Sequence, residues 1–346
     1  MRKKCFILFI LLLLLFGTSC GLLDSRLEKE LPLQVGLLTD GNPVEDAGVN
    51  QAVWDCLQQL KTEISGLEVR CKIPGTDGSY ANCSADLVAQ GCTLIICIDG
   101  SMADAITDIA SANPQILFAI MDCEEQNLPN VVSLCFALEE AAYLAGYVAA
   151  KVSVSERLAC LHGRLTEETE QLLASFMAGA KAANGDVLIL RRNLLVPKTR
   201  ERLAAEELVA NGADVFFHVD GSADSAVIGI CEENGVWSVG IHREPGKQLS
   251  KSMVAVAEKQ VGTVVRQLVL EAAEGTLKAG KRTLHFANEG LFLVVNDDVV
   301  SEKILGSINK MRDRIVAGEI TIPTTFEKLL EKYPELAEET GKQVVQ

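Results

Sequence analysis

Positive charge is in short supply in this chain: 32 Lys and Arg against 47 Asp and Glu leave a formal net charge of −15, and the basic residues are scattered. That balance excludes nucleic acid and an anionic lipid surface as partners. Aromatic residues are also scarce at 5%, while Ala, Val, Leu and Gly are abundant, the composition of layered α/β folds with buried parallel strands. Catalytic signatures are missing. No predicted strand leads into a G-x-S-x-G elbow, there is no P-loop and no HExxH, and no Gly-x-Gly-x-x-Gly follows the first strand. Those absences argue against an enzyme and against a resident cofactor. No internal repeat and no CxxC pair is present.

What is present begins with an address. Arg2, Lys3 and Lys4 precede the apolar run Cys5–Phe16, and Gly-Thr-Ser-Cys-Gly follows at 17–21. A basic start, a short apolar core and small residues before a cleavage point make a secretory signal, and the run is short for a spanning helix of ~20 residues. Thr18 and Ser19 before Cys20 resemble a lipobox, in which Cys20 is acylated and becomes the first mature residue, although Gly17 stands where an aliphatic residue is usual. An uncleaved anchor or a signal cut elsewhere is the alternative, and in each case the product is exported. The sequence therefore predicts a signal peptide over 1–19, a polar tether over 20–32, and attachment to the membrane through lipid.

Removal of the leader leaves roughly 325 residues, which at ~100–200 per domain predicts two globular domains. Strands expected near 33–39, 67–73, 93–98 and 116–121 alternate with helices expected from Val49 and near 78–90 and 102–112, a parallel βαβ series. A second series follows. Val131–Phe136 leads into a helix over Leu138–Val152, and strands near 157–161, 186–191, 214–219 and 236–241 alternate with helices near 167–183, 199–211 and 222–234; beyond Pro245-Gly246 a strand is expected near 252–257, a helix over 259–275, two short strands near 282–286 and 291–295, and a last helix over 298–317. The boundaries expected are a first lobe of 33–136 plus about 250–290, a second lobe of 137–249 plus about 291–322, and a surface tail over 323–346. Two doubly wound sheets with several crossings describe a bilobed protein with a cleft at the carboxyl ends of its strands.

Of eleven cysteines, Cys5 and Cys20 belong to the leader and the lipid site, which leaves an odd nine. Most lie in apolar runs such as Thr-Leu-Ile-Ile-Cys-Ile at 93–98, so they read as buried free thiols acting as small apolar side chains. One loop disulfide among Cys71, Cys83 and Cys92 is the alternative.

Several motifs in order carry a resemblance. Residues 33–57, LQVGLLTDGNPVEDAGVNQAVWDCL, resemble the pattern V-G-L-V-T-D-x-G-G-x-D-D-x-S-F-N-Q-x-x-W, with Thr39, Asp40, Asp46, Asn50, Gln51 and Trp54 in register. Phe118–Asp122 resembles F-A-I-I-D, Leu128–Val131 L-P-N-V, Glu139–Gly146 E-E-G-x-x-L-A-G, Gly212–His218 G-A-D-V-I-F-H, and Ile315–Pro323 the closing I-x-x-G-x-I-x-V-P. Together they resemble the basic membrane protein family, purine-nucleoside receptor lipoproteins that serve ABC importers. The resemblance implies a type I periplasmic-binding-protein-like α/β fold, two lobes joined by a multi-strand hinge, a small polar ligand with a nucleoside favoured, and an ABC permease as partner. It implies ligand contacts at Asp40, Asn50, Gln51 and Asp122 in the first lobe; in the second lobe His218, Asp220 and His242 are candidates beyond the family pattern, because strand-ending histidines share one sheet edge with Asp220 nearby. The alternative function is a membrane-tethered sensor or diverged paralogue with a non-nucleoside ligand, metal included, and no transport role.

The departures are specific. Gly48-Val49 stands where the family's stacking Phe would be, His242 where its G-V-D has Asp, Ala255 where it has Lys, and Val219–Ser225 replaces a glycine-rich turn. Trp54, Phe217 and Trp237 are the candidates for a substitute stacking face. His162, His218 and His242 each close a separate strand of the second lobe, so a zinc site of three imidazoles is a further candidate, set against three histidines on different turns. A transcriptional regulator of similar shape would carry a helix-turn-helix where this chain has its signal.

Overall fold

The computed structural model describes residues 33–45, 48–75, 79–194, 201–219, 224–241 and 249–337; Cys20, Asp46, Asp220 and His242 lie outside the described residues. The described chain forms two six-stranded sheets. The first runs β11-β5-β4-β3-β1-β2 and the second β12-β10-β9-β8-β6-β7.

In the first sheet β1 (Gln34–Leu38), β2 (Glu68–Lys72), β3 (Leu94–Cys97), β4 (Leu117–Met121) and β5 (Val131–Phe136) alternate with α1 (Val49–Glu63), α2 (Tyr80–Ala89) and α3 (Ala103–Ala112). The central strands are unbroken apolar runs, with all four residues of β3 buried, because helices cover both faces of a parallel sheet. The chain then crosses to α4 (Leu138–Val152) and lays down β6 (Arg157–His162), α5 (Glu167–Ala183), β7 (Leu188–Asn193), α6 (Glu201–Ala210), β8 (Val215–His218), α7 (Asp224–Asn234), β9 (Trp237–Gly240) and β10 (Met253–Lys259). It returns through α8 (Val261–Ala273) to β11 (Gly280–Leu284), parallel to β5 in the first sheet, and crosses once more to β12 (Leu291–Val295), antiparallel to β10. The end is α9 (Glu302–Val316) and α10 (Phe326–Lys332).

Two expected boundaries are corrected. Residues 253–259, expected in the first lobe, form β10 and pair with β9 and β12 in the second sheet. Met253 through Ala257 are all buried, so this strand requires neighbours on both edges and cover on both faces; the return to the first core begins with Val261 of α8. Residues 323–337 are not a surface tail. Leu329 and Leu336 are buried in the second core, Ser175 Oγ donates to the Pro323 carbonyl at 3.1 Å, and Phe326 N–H donates to Glu170 at 2.7 Å. The Arg191 guanidinium lies 4.4 Å from the Phe326 ring centroid, within cation–π range.

Helices α4 and α5 pack at backbone distance. A Cβ on Gly146 would stand 2.0 Å from the Phe176 carbonyl oxygen, and one on Gly179 1.8 Å from that of Tyr143, so only glycine permits this crossing. Phe176 in turn stacks on Phe217 with centroids 4.1 Å apart. All nine described cysteines are free, including Cys71, Cys83 and Cys92. Burial pushes the thiols of Cys71 and Cys92 up to about 11 and those of Cys160 and Cys231 up to about 12, the behaviour of inert apolar side chains.

Candidate functional site

Strand register sets the site. Leu38 of β1 is level with Cys97 of β3, and Cys97 with Ile120 of β4, so Asp40 and Asp122 each lie two residues beyond the same line at one sheet edge. Two strand spacings separate them, about 10 Å across the edge, a span suited to a small ligand.

Asp40 is fixed by its neighbours. Its Oδ1 accepts from the Asn42 backbone N–H at 3.0 Å and from Asn50 Nδ2 at 2.9 Å, and its Oδ2 accepts from Asn42 Nδ2 at 3.2 Å. Asn50 is fully buried in the first turn of α1, which makes that turn the template for the carboxylate, with half-buried Gln51 beside it. Burial pushes the Asp40 pKa up, but the hydrogen bonds from Asn50 and Asn42 outweigh it and hold the carboxyl below its ordinary value. The Tyr80 hydroxyl at the start of α2 donates to the Asp40 backbone carbonyl at 3.4 Å, so a half-buried aromatic side chain is tied to the turn after β1.

Asp122 is held differently. Its φ is +52°, the left-handed region, and its carbonyl lies so close to Gly100 that a Cβ there would stand 2.1 Å from the oxygen. Such backbone strain costs on the order of 1–3 kcal/mol and persists where packing over-determines it. Lys259 Nζ donates to both carboxylate oxygens at 2.7 and 2.8 Å. Lys259 ends β10 of the second sheet and Asp122 follows β4 of the first, so the carboxyl edges of the two sheets meet at this pair. The same ammonium lies 5.0 Å from the ring centroid of Phe136, the last residue of β5 before the first crossing. The other crossings are tied by Gln260 N–H to the Gly290 carbonyl at 3.0 Å and by Ala137 N–H to the Leu284 carbonyl at 2.8 Å.

The second-lobe candidates separate. Leu161 is the register partner of His218, so His162, one residue further along β6, projects from the opposite face of the sheet. Both imidazoles are buried, and His162 Nδ1–H donates to the Gly163 carbonyl at 2.9 Å. Burial depresses the His162 pKa, against the effect of that carbonyl. No group of three His, Cys, Asp or Glu side chains suited to a metal occurs among the described residues. The substitute aromatics do not reach the site edge: Phe217 is buried against Phe176, Trp54 packs on the first core, and Trp237 starts β9 at the opposite end of its strand. Ala255 is buried inside β10.

Sequence reasoning missed Lys259, Tyr80 and Gly100. Lys259 closes a strand as Asp122 does, four residues beyond the Ala255 at which a lysine is absent, and that position was the available signal.

Comparison with known proteins identifies the family and the fold. The family described as ABC transporter substrate-binding protein PnrA-like matches residues 33–325, from the entry to β1 to the residue that caps α10. The chain is similar to the ABC transporter nucleoside-binding protein BmpA of Lactococcus lactis subsp. cremoris, with 28% identity over 321 residues, 84% of this chain and 89% of that protein. It is 26% identical over 321 residues to Basic membrane protein A of Borreliella afzelii, covering 89% of this chain and 98% of that one. Among solved structures, an ABC transporter solute-binding protein from Conexibacter woesei DSM 14684 superposes with a TM-score of 0.69 at 18% identity, over 84% of this chain and 99% of that one. The fold is therefore of the type I periplasmic-binding kind, and the family match spans every strand of both sheets: the chain belongs to the PnrA-like family of ABC transporter substrate-binding proteins, and is a binding protein rather than an enzyme.

Proposed function

We propose that this chain is an extracytoplasmic receptor, tethered to the cell membrane through acylated Cys20, which closes its two lobes over a nucleoside and presents the closed form to an ABC permease. The observation that carries the reading is the ionised Asp40 carboxylate, held by Asn50 and Asn42 at the end of β1. Such an acceptor suits vicinal ribose hydroxyls or a base N–H. Tyr80 supplies the aromatic face that Gly48-Val49 does not, and base–aromatic stacking is worth about 1–3 kcal/mol. Asn50, Gln51 and Asp122 complete the first-lobe half, with His218, Asp220 and His242 proposed from the second. The nucleoside named in the Lactococcus relative supports the choice of cargo. His242, which stands where the resembled pattern has an Asp of the second lobe, favours one other reading, a tethered sensor for a different small ligand.

Isothermal calorimetry with adenosine, inosine, guanosine and cytidine tests the proposal on the native chain and on Tyr80→Ala. Native binding with at least a fivefold loss in Tyr80→Ala is expected. Absence of binding to all four nucleosides refutes the nucleoside reading, and an unchanged Tyr80→Ala removes that ring from the site.

A further inference from the structure

Helix α4 opens with two adjacent carboxylates, Glu139 and Glu140, that the ligand edge does not use. Both residues are half-buried, yet they reach in different directions. Glu139 stays within the second lobe, where Gln171 Nε2 of α5 donates to its Oε2 at 3.1 Å. Glu140 reaches the third crossing, where the Phe286 backbone N–H donates to its Oε2 at 3.3 Å.

The third crossing needs that carboxylate. His285 N–H donates to Asn288 Oδ1 at 2.8 Å, Ala287 N–H to His285 Nδ1 at 3.2 Å, those of Asn288 and Gly290 to the His285 carbonyl, and that of Glu289 to the Phe286 carbonyl. The turn over His285–Gly290 thus satisfies its own N–H groups, except for that of Phe286. Leu284 of β11 is level with Phe136 of β5, and Ala137 N–H donates to the Leu284 carbonyl at 2.8 Å. In a parallel ladder the next bond would run from Phe286 N–H to the Ala137 carbonyl. The first turn of α4 has claimed that carbonyl, since Glu140 N–H donates to it at 3.0 Å. Glu140 therefore takes the ladder acceptor with its backbone and supplies another with its side chain. The second crossing is fastened to the same turn, Gln260 N–H donating to the Gly290 carbonyl at 3.0 Å, so the turn gathers all three crossings.

We propose that Glu140 is the positioning residue of the hinge: its carboxylate carries the turn over His285–Gly290 with the second lobe and sets how firmly the two lobes hold together around a ligand. An N–H bond to a carboxylate is charge-assisted and strong, while a side chain yields to rotation more readily than a strand ladder does. Loss of the carboxylate leaves a backbone donor unpaired and loosens the crossing. The inference rests on the reading that the lobes close over a ligand, but not on that ligand being a nucleoside.

The test compares the native chain with Glu140→Ala, Glu140→Asp and Glu140→Gln, and with Glu139→Ala, which removes the same charge from the same turn without touching a crossing. Hydrogen exchange at the Phe286 amide of the ligand-free chain, resolved by mass spectrometry with fragmentation, should be about tenfold faster or more in Glu140→Ala and in Glu140→Asp, whose carboxylate falls a methylene short. It should stay within about threefold of native in Glu139→Ala and in Glu140→Gln, whose side-chain carbonyl accepts the same N–H. Small-angle scattering of the ligand-free chain should give a larger radius of gyration for Glu140→Ala than for the native chain or Glu139→Ala. Surface-plasmon kinetics with adenosine should show dissociation about fivefold faster or more in Glu140→Ala, with association within about twofold, and neither rate moved by Glu139→Ala. Glu140→Asp carries the same expectations should the alanine variant fail to fold. Native exchange at Phe286 in Glu140→Ala overturns the tie. A native radius of gyration in that variant, or equal effects of Glu139→Ala and Glu140→Ala on dissociation, overturns its control of the lobes. A native chain that binds neither adenosine nor the other nucleosides refutes that choice of cargo, and exchange and scattering then decide the tie without a ligand.

Discussion

Gly100→Ala is the substitution that most directly tests the packing behind Asp122, because residue 100 carries no side chain to touch a ligand. Its added Cβ would lie 2.1 Å from the Asp122 carbonyl oxygen, 2.9 Å from the carbonyl carbon and 3.2 Å from the Cys123 Cα, all backbone atoms. Ordinary contact begins near 3.4 Å, so one of the two loops must retreat by about 1.3 Å. Neither has a soft rotamer to offer. Overpacking of this kind costs about 1–3 kcal/mol, a Tm fall on the order of 2–8 °C. A retreat of that size also takes the Asp122 oxygens from 2.7 and 2.8 Å to beyond hydrogen-bond range of Lys259 Nζ unless the lysine follows. Ligand affinity should therefore fall at least tenfold in a variant that remains folded at 25 °C. Gly229→Ala, in the interior of α7, is the control: its Cβ meets nothing within 4 Å, and helix propensity alone predicts a gain of about 0.5–1 kcal/mol. Differential scanning calorimetry and titration calorimetry on the two variants read both quantities. A Gly100→Ala chain with native Tm and native affinity would falsify the packing account of the site.

Asp40 gives a prediction in pH. Its folded pKa is lowered, so the stability it contributes is present above the unfolded value of about 3.9 and is lost as pH falls through the folded value. The Asp40 carboxylate should accordingly stay ionised from pH 8 to pH 5, so its contribution to ligand affinity is flat over that range. Asp40→Ala should bind at least tenfold more weakly throughout, and Asn50→Ala should begin to lose affinity at a higher pH than the native chain; identical pH profiles for the native chain and Asn50→Ala would remove Asn50 as the cause of the lowered pKa. Leu329→Ala should destabilise by about 2–5 kcal/mol in urea denaturation, the cost of truncating a buried leucine, whereas a true surface tail would show a change within ~0.5 kcal/mol.

Periodicity made most of the fold legible. The helices over Leu138–Val152 and 167–183 and the strands over Val131–Phe136 and 291–295 lie where their apolar spacing predicts them, because each buries a face against a covered sheet. The strand expected near 252–257 is equally clear as a strand, observed over Met253–Lys259. What sequence could not assign was its sheet, since β9, its parallel neighbour, and β12, its antiparallel one, are fixed by long-range pairing and not by its own residues. The end of the chain misled for another reason. Glu and Lys crowd residues 327–335, yet the apolar set Leu329, Tyr333 and Leu336 recurs at helical spacing through 329–336; the seven-residue helix capped by Thr325 buries Leu329, and the residues after it bring Tyr333 and Leu336 to the same core.

The site was legible where one segment supplies both partners and illegible where two segments do. Asp40, Asn42 and Asn50 lie within eleven residues, so a strand, a turn and a helix start already place the donors around the carboxylate. Lys259 is separated from Asp122 by 137 positions, and only the crossing of β10 into α8 brings them together. The histidines fail in the complementary way. Three strand-ending imidazoles suggest a cluster only while the strands lack a register, and the pairing of Leu161 with His218 sets His162 and His218 on opposite faces. A one-residue slip of β6 against β8 would place both imidazoles on one face, but it would also turn Cys160, which shares the second core with its partner Phe217, away from that core. The buried pattern of β6 and β8 fixes the register, and the register leaves Asp40 and the Asp122–Lys259 pair as the described polar groups around which the proposed site is drawn.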